Sequence, residues 1–558
     1  MTTSALRAIV VVPARDEQER VGACLLALAR QRRVDAGSFE VFLVLDHCRD
    51  DTRGRALAAA SAAGRPALTI IDSLIPGVGH ARRAGMDAAC RRLLDAGLPD
   101  GLIATTDADS RVAPDWLAVQ LELAATGAQA IGGRIELEPN EAALLPPGVL
   151  ASRHERARER LASIRGDSAL CEHHQFSGAS LALTARTYQE VGGLPDVDAL
   201  EDEALQRLLE ERGIPIVRCG RVRVTTSART EGRAPRGLAR DLGYADWRAR
   251  RTFRAGDFDA SALTRLKRSS VTAVLPAREV ADTIAAIVDQ LLPLRDVGLV
   301  DRILVVDAGS ADGTAEVAAG AGAEVFQEDD LLSDHGAARG KGDAMWRALS
   351  VVDGEIVVFL DADTRDFTPN FVVGLLGPIL TDAEIRFVKG AFRRPFDTGD
   401  TILPDEGGRV TELVARPLLN LYAPQLAVFD QPLAGEIAAY SEDLRSLHFP
   451  AGYGVEIANL IDIAGIAGTD ALAQVDLGQR QNRHQPLRDL TAMAYAVMVA
   501  AARRLQHTGL RAPEGQGPLL LPPSAPGTAA QTRQVVTFER PPLSSLIPEA
   551  LGLGERSA

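Results

Sequence analysis

The chain has 558 residues, 46% hydrophobic and 24% charged; this excludes fibrous and disordered classes and is too long for one core. Against 61 Lys and Arg stand 75 Asp and Glu, a formal charge of −14, which argues against nucleic-acid or anionic-membrane partners and leaves anionic substrates to local basic pockets. Five cysteines (Cys24, Cys48, Cys90, Cys171, Cys219) lie in the first half with no CxxC pair, so they read as reduced thiols, not as a disulfide frame or zinc site.

In chain order, Met1–Val12 lacks the charged and long apolar regions of a signal peptide. A first apolar strand, AIVVVPAR, closes at Arg15. A second, in VFLVLDHCRDDT, ends in Asp46 with Asp51 beyond it, and a third, LIATTDADS, ends in Asp107 and Asp109. FSGASLALTARTYQEVGGLP and LEDEALQRLLEERG follow, the latter opening a helix with Glu201 and Asp202. The stretch 229–268 has no strand pattern and reads as an Arg-rich helical linker; its eight arginines between Arg229 and Arg254 suit a solvated helix better than a phosphate site. The same strand-end signals then return: VTAVLPAR closing at Arg278, RILVVDAGSADGT with Asp307 and Asp312, and IVVFLDADT with Asp361 and Asp363. Leu490–Ala502 is too short to span a bilayer, and 508–558 is a Pro/Gly-rich tail. A cytoplasmic chain without transmembrane segments is expected.

The offsets between matching signals are 263, 261 and 254 residues, so a whole domain is duplicated, 1–228 and 269–507. Helical patterns such as ERVGACLLALARQ and ADTIAAIVDQLLPL separate continuous Val/Ile/Leu strands. That alternation predicts mainly parallel sheets with helices on both faces, whose ligands bind beyond the carboxyl ends of strands. Each half should therefore carry one site.

Two carboxylates one residue apart at a strand end suit a hard cation, Mg2+ or Mn2+, that shares its oxygen ligands with a diphosphate and neutralises a departing diphosphate. A lone DxD caps turns in any large protein; preceded by two other strand-end signals it means more. The ordered set resembles family-two glycosyltransferases, which implies two tandem α/β domains of the Rossmann-like GT-A, or nucleotide-diphospho-sugar transferase, fold. It also implies nucleoside contacts from Pro276, Ala277, Glu279 and Asp307 in the second half and from Pro13, Arg15, Glu17 and Asp46 in the first. Asp361 and Asp107 would face the donor, with Asp363 and Asp109 on the metal. The Glu201-Asp202 pair resembles the family's ED motif, which makes Asp202 the general base of an inverting transfer; an acidic first helical turn favoured by the helix dipole is the other reading.

The second half also carries DAGSADGT (Asp307–Thr314), GKGDAMWRAL (Gly340–Leu349), GGRVTELVARPLL (Gly407–Leu419), AGYGVEI (Ala451–Ile457), LGQRQNRHQPL (Leu477–Leu487) and a late ERPPL. Together these resemble glucosyl-3-phosphoglycerate synthase over about 270–550. Lys341 is one of only three lysines in the chain and sits between glycines where an ammonium can approach phosphate; the resemblance places it on the donor. GGRVT enters a helix, and free N–H groups with a guanidinium make an anion site. The resemblance puts 3-phosphoglycerate on Gly408, Arg409 and Thr411, with Arg480 beside it; a simple helix cap is the lesser reading of Thr411. Glu456 matches the family's active-site glutamate and is assigned to positioning sugar and acceptor. Where the family has a metal-binding histidine this chain has Asn482; either His484, two residues on, substitutes for it or the metal relies on Asp363 and phosphates.

The expectation is an NDP-glucose donor, UDP-glucose first, transferred with retention to 3-phosphoglycerate. The first half would be a second, inverting transferase of unknown acceptor. A mannosyl-3-phosphoglycerate synthase, or a non-catalytic structural first half, is the alternative; a homodimer fits either.

Overall fold

The computed structural model describes residues 5–164, 171–196, 201–232, 237–397, 402–403, 408–480, 487–510, 519–521, 531–533 and 538–546. The chain divides into two compact units, Met1–Ala249 and Arg250–Ala558. Asn482 and His484 lie outside the described residues. No described helix is long and apolar enough to cross a membrane.

The first unit holds β1 (Ala8–Ala14), β2 (Phe39–Leu45), β3 (Ala67–Asp72), β4 (Leu102–Thr105), β5 (Ser110–Val112), β6 (Ala130–Leu137), β7 (Leu181–Thr184) and β8 (Ile216–Thr226). They form one sheet in the order β3-β2-β1-β4-β7-β6-β8-β5. Strands β3, β2, β1 and β4 are mutually parallel, and β7 runs antiparallel to β4 and β6. Ala8, Val10, Val12 and Ala14 of β1 enter one core, while Ile9 and Val11 enter the core on the opposite face. Because both faces are covered, the strand reads as an unbroken apolar run.

The second unit repeats the order of the first seven strands, with a different edge strand, from β9 (Thr252–Arg254), β10 (Val271–Ala277), β11 (Arg302–Asp307), β12 (Glu324–Gln327), β13 (Ile356–Phe359), β14 (Phe387–Arg393), β15 (Ile437–Tyr440) and β16 (Leu472–Gln479). The order is β12-β11-β10-β13-β15-β14-β16-β9. The antiparallel strand is again fifth, here β15. Each sheet is thus α/β of the expected kind and largely parallel; the fifth strand is reversed in both, and in the first sheet the edge strand β5 is reversed as well.

The expected linker is divided between the units. A helix spans Leu238–Arg251, and Thr252–Arg254 adds parallel to β16 as the edge of the second sheet. Arg251, 4% exposed, pairs with Asp382 and Glu384 inside the second unit.

Candidate active sites

The duplication extends to single hydrogen bonds in the loops after the first two strands of each sheet. Thr52 Oγ1 accepts from Glu17 N (2.7 Å), and Thr314 Oγ1 accepts from Val280 N (3.0 Å). Asp50 accepts from Gln18 N and Asp312 from Ala281 N, both at 3.0 Å. The counterpart of Asp312 is therefore Asp50, not Asp51; one residue fewer separates Asp46 from its threonine. Likewise Glu279 corresponds to Asp16, not Glu17. Both sit in the left-handed region (φ 52° and 51°), which costs an L-residue energy. Their carboxylates take backbone N–H groups, Ala311 N at 2.9 Å and Arg49 N at 2.6 Å, so they clamp one strand-end loop to the next. Among the described residues Asp16, Cys48 and Asp50 also come within metal-ligand range of one another. Backbone donors occupy these carboxylates, and burial raises the Cys48 thiol pKa, so the trio is a loop brace and a poor metal site.

In the first unit, Pro13, Arg15, Glu17, Asp46, Asp107, Asp109 and Asp202 all line one cavity of ≈ 1100 Å3. Asp46, 2% exposed, accepts from Gly77 N at 3.1 Å and lies 3.8 Å from the Arg15 guanidinium. The organiser is Arg82, which carried no sequence motif. Buried at 2% exposure, it donates to Asp107 Oδ1 (2.7 Å), Glu201 Oε1 (2.7 Å), Thr105 Oγ1 (2.6 Å) and the Gly178 carbonyl (2.9 Å). Burial opposes its charge, but Asp107 and Glu201 overcome that and raise its pKa. Glu201 is thus committed to Arg82. Among the described residues Asp202, its neighbour, accepts from the backbone N–H groups of Gly178 (3.0 Å) and Glu203 (2.9 Å) and lines the cavity.

Arg229, expected in the linker, also enters this site, contacting Glu17 Oε1 (2.9 Å) and Asp109 Oδ2 (3.0 Å). Asp109 is nevertheless pushed up to about 6, by burial first and then by the charge on Asp107. Three crowded carboxylates with oxygen-only donors are a surplus of negative charge that a hard divalent cation relieves.

The second unit repeats this plan with different residues. Lys341 opens the helix Lys341–Ala348, as Val78 opens Val78–Asp95, each after a glycine with φ near 125° (Gly340 125°, Gly77 128°). Its Nζ donates to Asp361 Oδ1 at 2.6 Å and lies 3.0 Å from Glu456 Oε1. Arg82 plays this part in the first unit from one helical turn further along, on the same face. Arg480 follows the last shared strand, as Arg229 does, and contacts Asp361 Oδ2 (2.7 Å), Asp363 Oδ1 (3.3 Å) and Glu436 Oε1. Burial would lift the Asp361 carboxyl, but Lys341 and Arg480 hold it well below the usual carboxylate range. Asp363 keeps half its side chain exposed and has room for a cation.

Sequence reasoning missed Glu436 and Lys389. Glu436 is 1% exposed, and burial raises its pKa despite Arg480. Lys389, fully buried, donates to the Ala434 carbonyl at 2.8 Å, and burial brings its ammonium down to about 8. Between them, Gly435 leaves no room for a side chain: a Cβ there would stand 2.2 Å from Lys341 Nζ and 2.4 Å from Asp361 Oδ1.

The tail braces the helix that begins at Lys341. Glu539–Arg540 pairs antiparallel with Phe449–Pro450, and Arg540 donates to both oxygens of the fully buried Asp343 at 2.9 Å. Trp346 Nε1 donates to the Pro541 carbonyl at 3.0 Å.

Of the expected acceptor residues, Gly408 (φ 73°) precedes a helical run beginning at Arg409, and Thr411 is 2% exposed. Glu412 N bonds the Gly408 carbonyl at 3.0 Å, the first turn of that run. Next to Gly408 stand Arg394 and Gln431; Arg394 Nε and Gln431 Oε1 are buried without a hydrogen-bond partner. Arg480, expected near the acceptor, instead grips the paired aspartates and Glu436.

The profile of glycosyl transferase family 2 matches residues 9–185 and 272–406, and the chain belongs to that family. It is a hexosyltransferase. The glucosyl-3-phosphoglycerate synthase of Mycobacterium tuberculosis is 41% identical over 323 residues, 57% of this chain and 96% of that protein. Mannosyl-3-phosphoglycerate synthase from Rubrobacter xylanophilus superposes at 48% identity and TM-score 0.50, covering 54% of this chain and 99% of that one. The Mycobacterium tuberculosis glucosyl-3-phosphoglycerate synthase in complex with Mn2+, UDP and glucosyl-3-phosphoglycerate aligns at 39% identity and TM-score 0.46, over 52% of this chain and 96% of that one.

Proposed function

We propose that the second unit transfers a glucosyl group from UDP-glucose to 3-phosphoglycerate with retention, and that the first unit is a second, inverting glycosyltransferase. The observation that carries the first part is the Lys341–Asp361–Glu456 cluster within a chain 41% identical to a glucosyl-3-phosphoglycerate synthase across nearly all of that protein. Pro276, Ala277, Glu279 and Asp307 frame the nucleoside and Lys341 meets the diphosphate. Arg409 and Thr411 at a helix start hold the acceptor's anionic groups, with Arg394, stacked on Phe392, beside them. Glu456, already paired with Lys341, orients sugar and acceptor and is a poor nucleophile.

Asp363, with Asp361 and His484, would hold Mg2+ or Mn2+ in this unit, and Asp107 and Asp109 in the first. That ion supplies charge neutralisation at the leaving diphosphate. In the first unit Asp202 takes the acceptor hydroxyl proton as the oxygen attacks the anomeric carbon, and the sugar–diphosphate bond breaks on the opposite side. The non-catalytic reading of this unit leaves the Arg82–Asp107–Glu201 cluster and the cavity without a purpose.

A donor-by-acceptor screen of the full chain tests both assignments, with UDP release and product mass as readouts. Asp361→Asn should abolish glucosyl-3-phosphoglycerate formation and spare activity of the first unit; Asp202→Asn should do the reverse. No phosphoglycerate-dependent UDP release would overturn the first assignment. A mannosylated product from GDP-mannose would replace it with the second reading, which the 48% identity to a mannosyl enzyme favours.

A further inference from the structure

In the first unit's cavity the carboxylates Asp46, Asp107 and Asp109 already meet Arg15, Arg82 and Arg229. Arg153, Arg160, Arg207 and Arg240 line the same cavity as well. Arg153, Arg160 and Ile164 lie at i, i+7 and i+11 of the helix Pro147–Ile164, a spacing that puts all three on one stripe, and all three line the cavity. That helix face is one wall of the cavity, whose lining also includes Glu201, Asp202, Glu203 and Asp241.

Two further observations mark this wall as cation-rich. Burial, and then Arg156, lowers the pKa of Arg153; burial, and then Arg160 and Arg153, lowers that of His174, which lines the same cavity. Arg218, whose charge also bears on His174, is 5% exposed, and its Nε and Nη2 have no hydrogen-bond partner. Guanidinium groups gathered this closely repel one another, and an anion bound at Arg153 and Arg160 relieves that repulsion.

We propose that the acceptor of the first unit is an anion, a small molecule bearing a phosphate or carboxylate together with a free hydroxyl, and that Arg153 and Arg160 bind its charged group while Asp202 faces its hydroxyl. This rests on the reading of the first unit as a transferase. The step balances as before: the hydroxyl proton passes to Asp202, the new bond forms from oxygen to the anomeric carbon, and the nucleoside diphosphate leaves with the electrons of the broken bond. The chemistry also sets a place in a sequence: an acceptor of this kind is what the second unit's reaction consumes and what it produces.

Calorimetric titration of the full chain in saturating UDP tests this, using 3-phosphoglycerate and glucosyl-3-phosphoglycerate as probes and glycerol as a neutral control. An Arg409→Ala background weakens the second unit's acceptor site. At least one anion should bind there saturably, at least tenfold weaker in Arg153→Ala/Arg160→Ala and weaker with added salt, while glycerol shows no binding. Equal affinity in the double variant, confirmed folded by circular dichroism, overturns the proposal, as does absence of binding by both anions. Asp202-dependent UDP release without anion binding would leave the transferase reading intact and sink the anionic acceptor. Anion binding with no Asp202-dependent turnover would do the opposite.

Discussion

Lys341 Nζ donates to Asp361 across 2.6 Å while lying 3.0 Å from Glu456, so one ammonium bridges the first aspartate of the DAD and the glutamate at a later helix start. Arg82 makes the same bridge between Asp107 and Glu201 in the other unit. In each site, then, a helix-borne cation ties the aspartate nearer the strand to a glutamate, while the second aspartate meets an arginine that follows the last shared strand, Arg229 at 3.0 Å from Asp109 and Arg480 at 3.3 Å from Asp363.

Removing that bridge should separate binding from folding. Lys341→Met leaves Glu456 buried without its counter-ion; we expect a loss of about 2 kcal/mol in stability, held down because Lys341 keeps 23% side-chain exposure. Donor turnover by the second unit should fall at least 100-fold. Lys341→Arg should not restore it, since the planar fork is not a point charge. Denaturation and steady-state kinetics check both.

Gly435→Ala inserts a methyl 2.2 Å from Lys341 Nζ. The tip of a flexible chain can move, so the fold should survive with a change in melting temperature of only a few degrees, whereas displacement near 1 Å at the donor site costs about 100-fold in kcat. A full-activity Gly435→Ala enzyme would show that the lysine need not touch Asp361.

The two units should differ in acid. Asp109 titrates near 6, and a ligating carboxylate must lose its proton first. Below pH 6 the affinity of the first unit for Mn2+ should therefore fall about tenfold per pH unit. Asp361 is held far below the usual range, so its charge persists through the same interval. Mn2+ titrations of Asp361→Asn and Asp109→Asn chains between pH 5 and 8 separate the two.

Lys389 makes an alkaline prediction. Its pKa falls from 10.5 unfolded to about 8 folded, so between those values the unfolded state binds more protons and stability rises with pH. Below pH 8 the ammonium is charged in both states and the full burial cost is present. The rise between pH 8 and 10, on the order of 3 kcal/mol, should disappear from the second unit's unfolding in Lys389→Met.

The fold was legible because both sheets are built from buried parallel strands, whose unbroken apolar runs and terminal aspartates recur at nearly constant spacing. The site was legible where a motif fixed the position, as at Asp107, Asp361, Lys341 and Glu456. It was hidden where the charge came from elsewhere. Arg82 was missed because its cation sits one helical turn beyond the position of Lys341, although aligning the two helix starts at Gly77 and Gly340 would have pointed to it. Arg229 was lost among linker arginines, and Glu436 stands at a strand start with no pattern to flag a buried acid. Glu279 and Glu17 looked equivalent in sequence, but the shared left-handed turn pairs Glu279 with Asp16.

Arg540 reaches back across almost 200 positions to grip Asp343 within the helix that begins at Lys341. During synthesis the strands and paired aspartates of the second unit emerge first, while the counter-ion of that helix is still untranslated. The helix that carries Lys341 is therefore braced late, and a nascent or proteolysed chain ending near residue 507 would hold the motifs up to LGQRQNRHQPL, lack ERPPL, and leave Asp343 with Arg347, 3.5 Å away, as its cation. A recombinant boundary drawn where the strand–helix pattern stops would cut inside the enzyme.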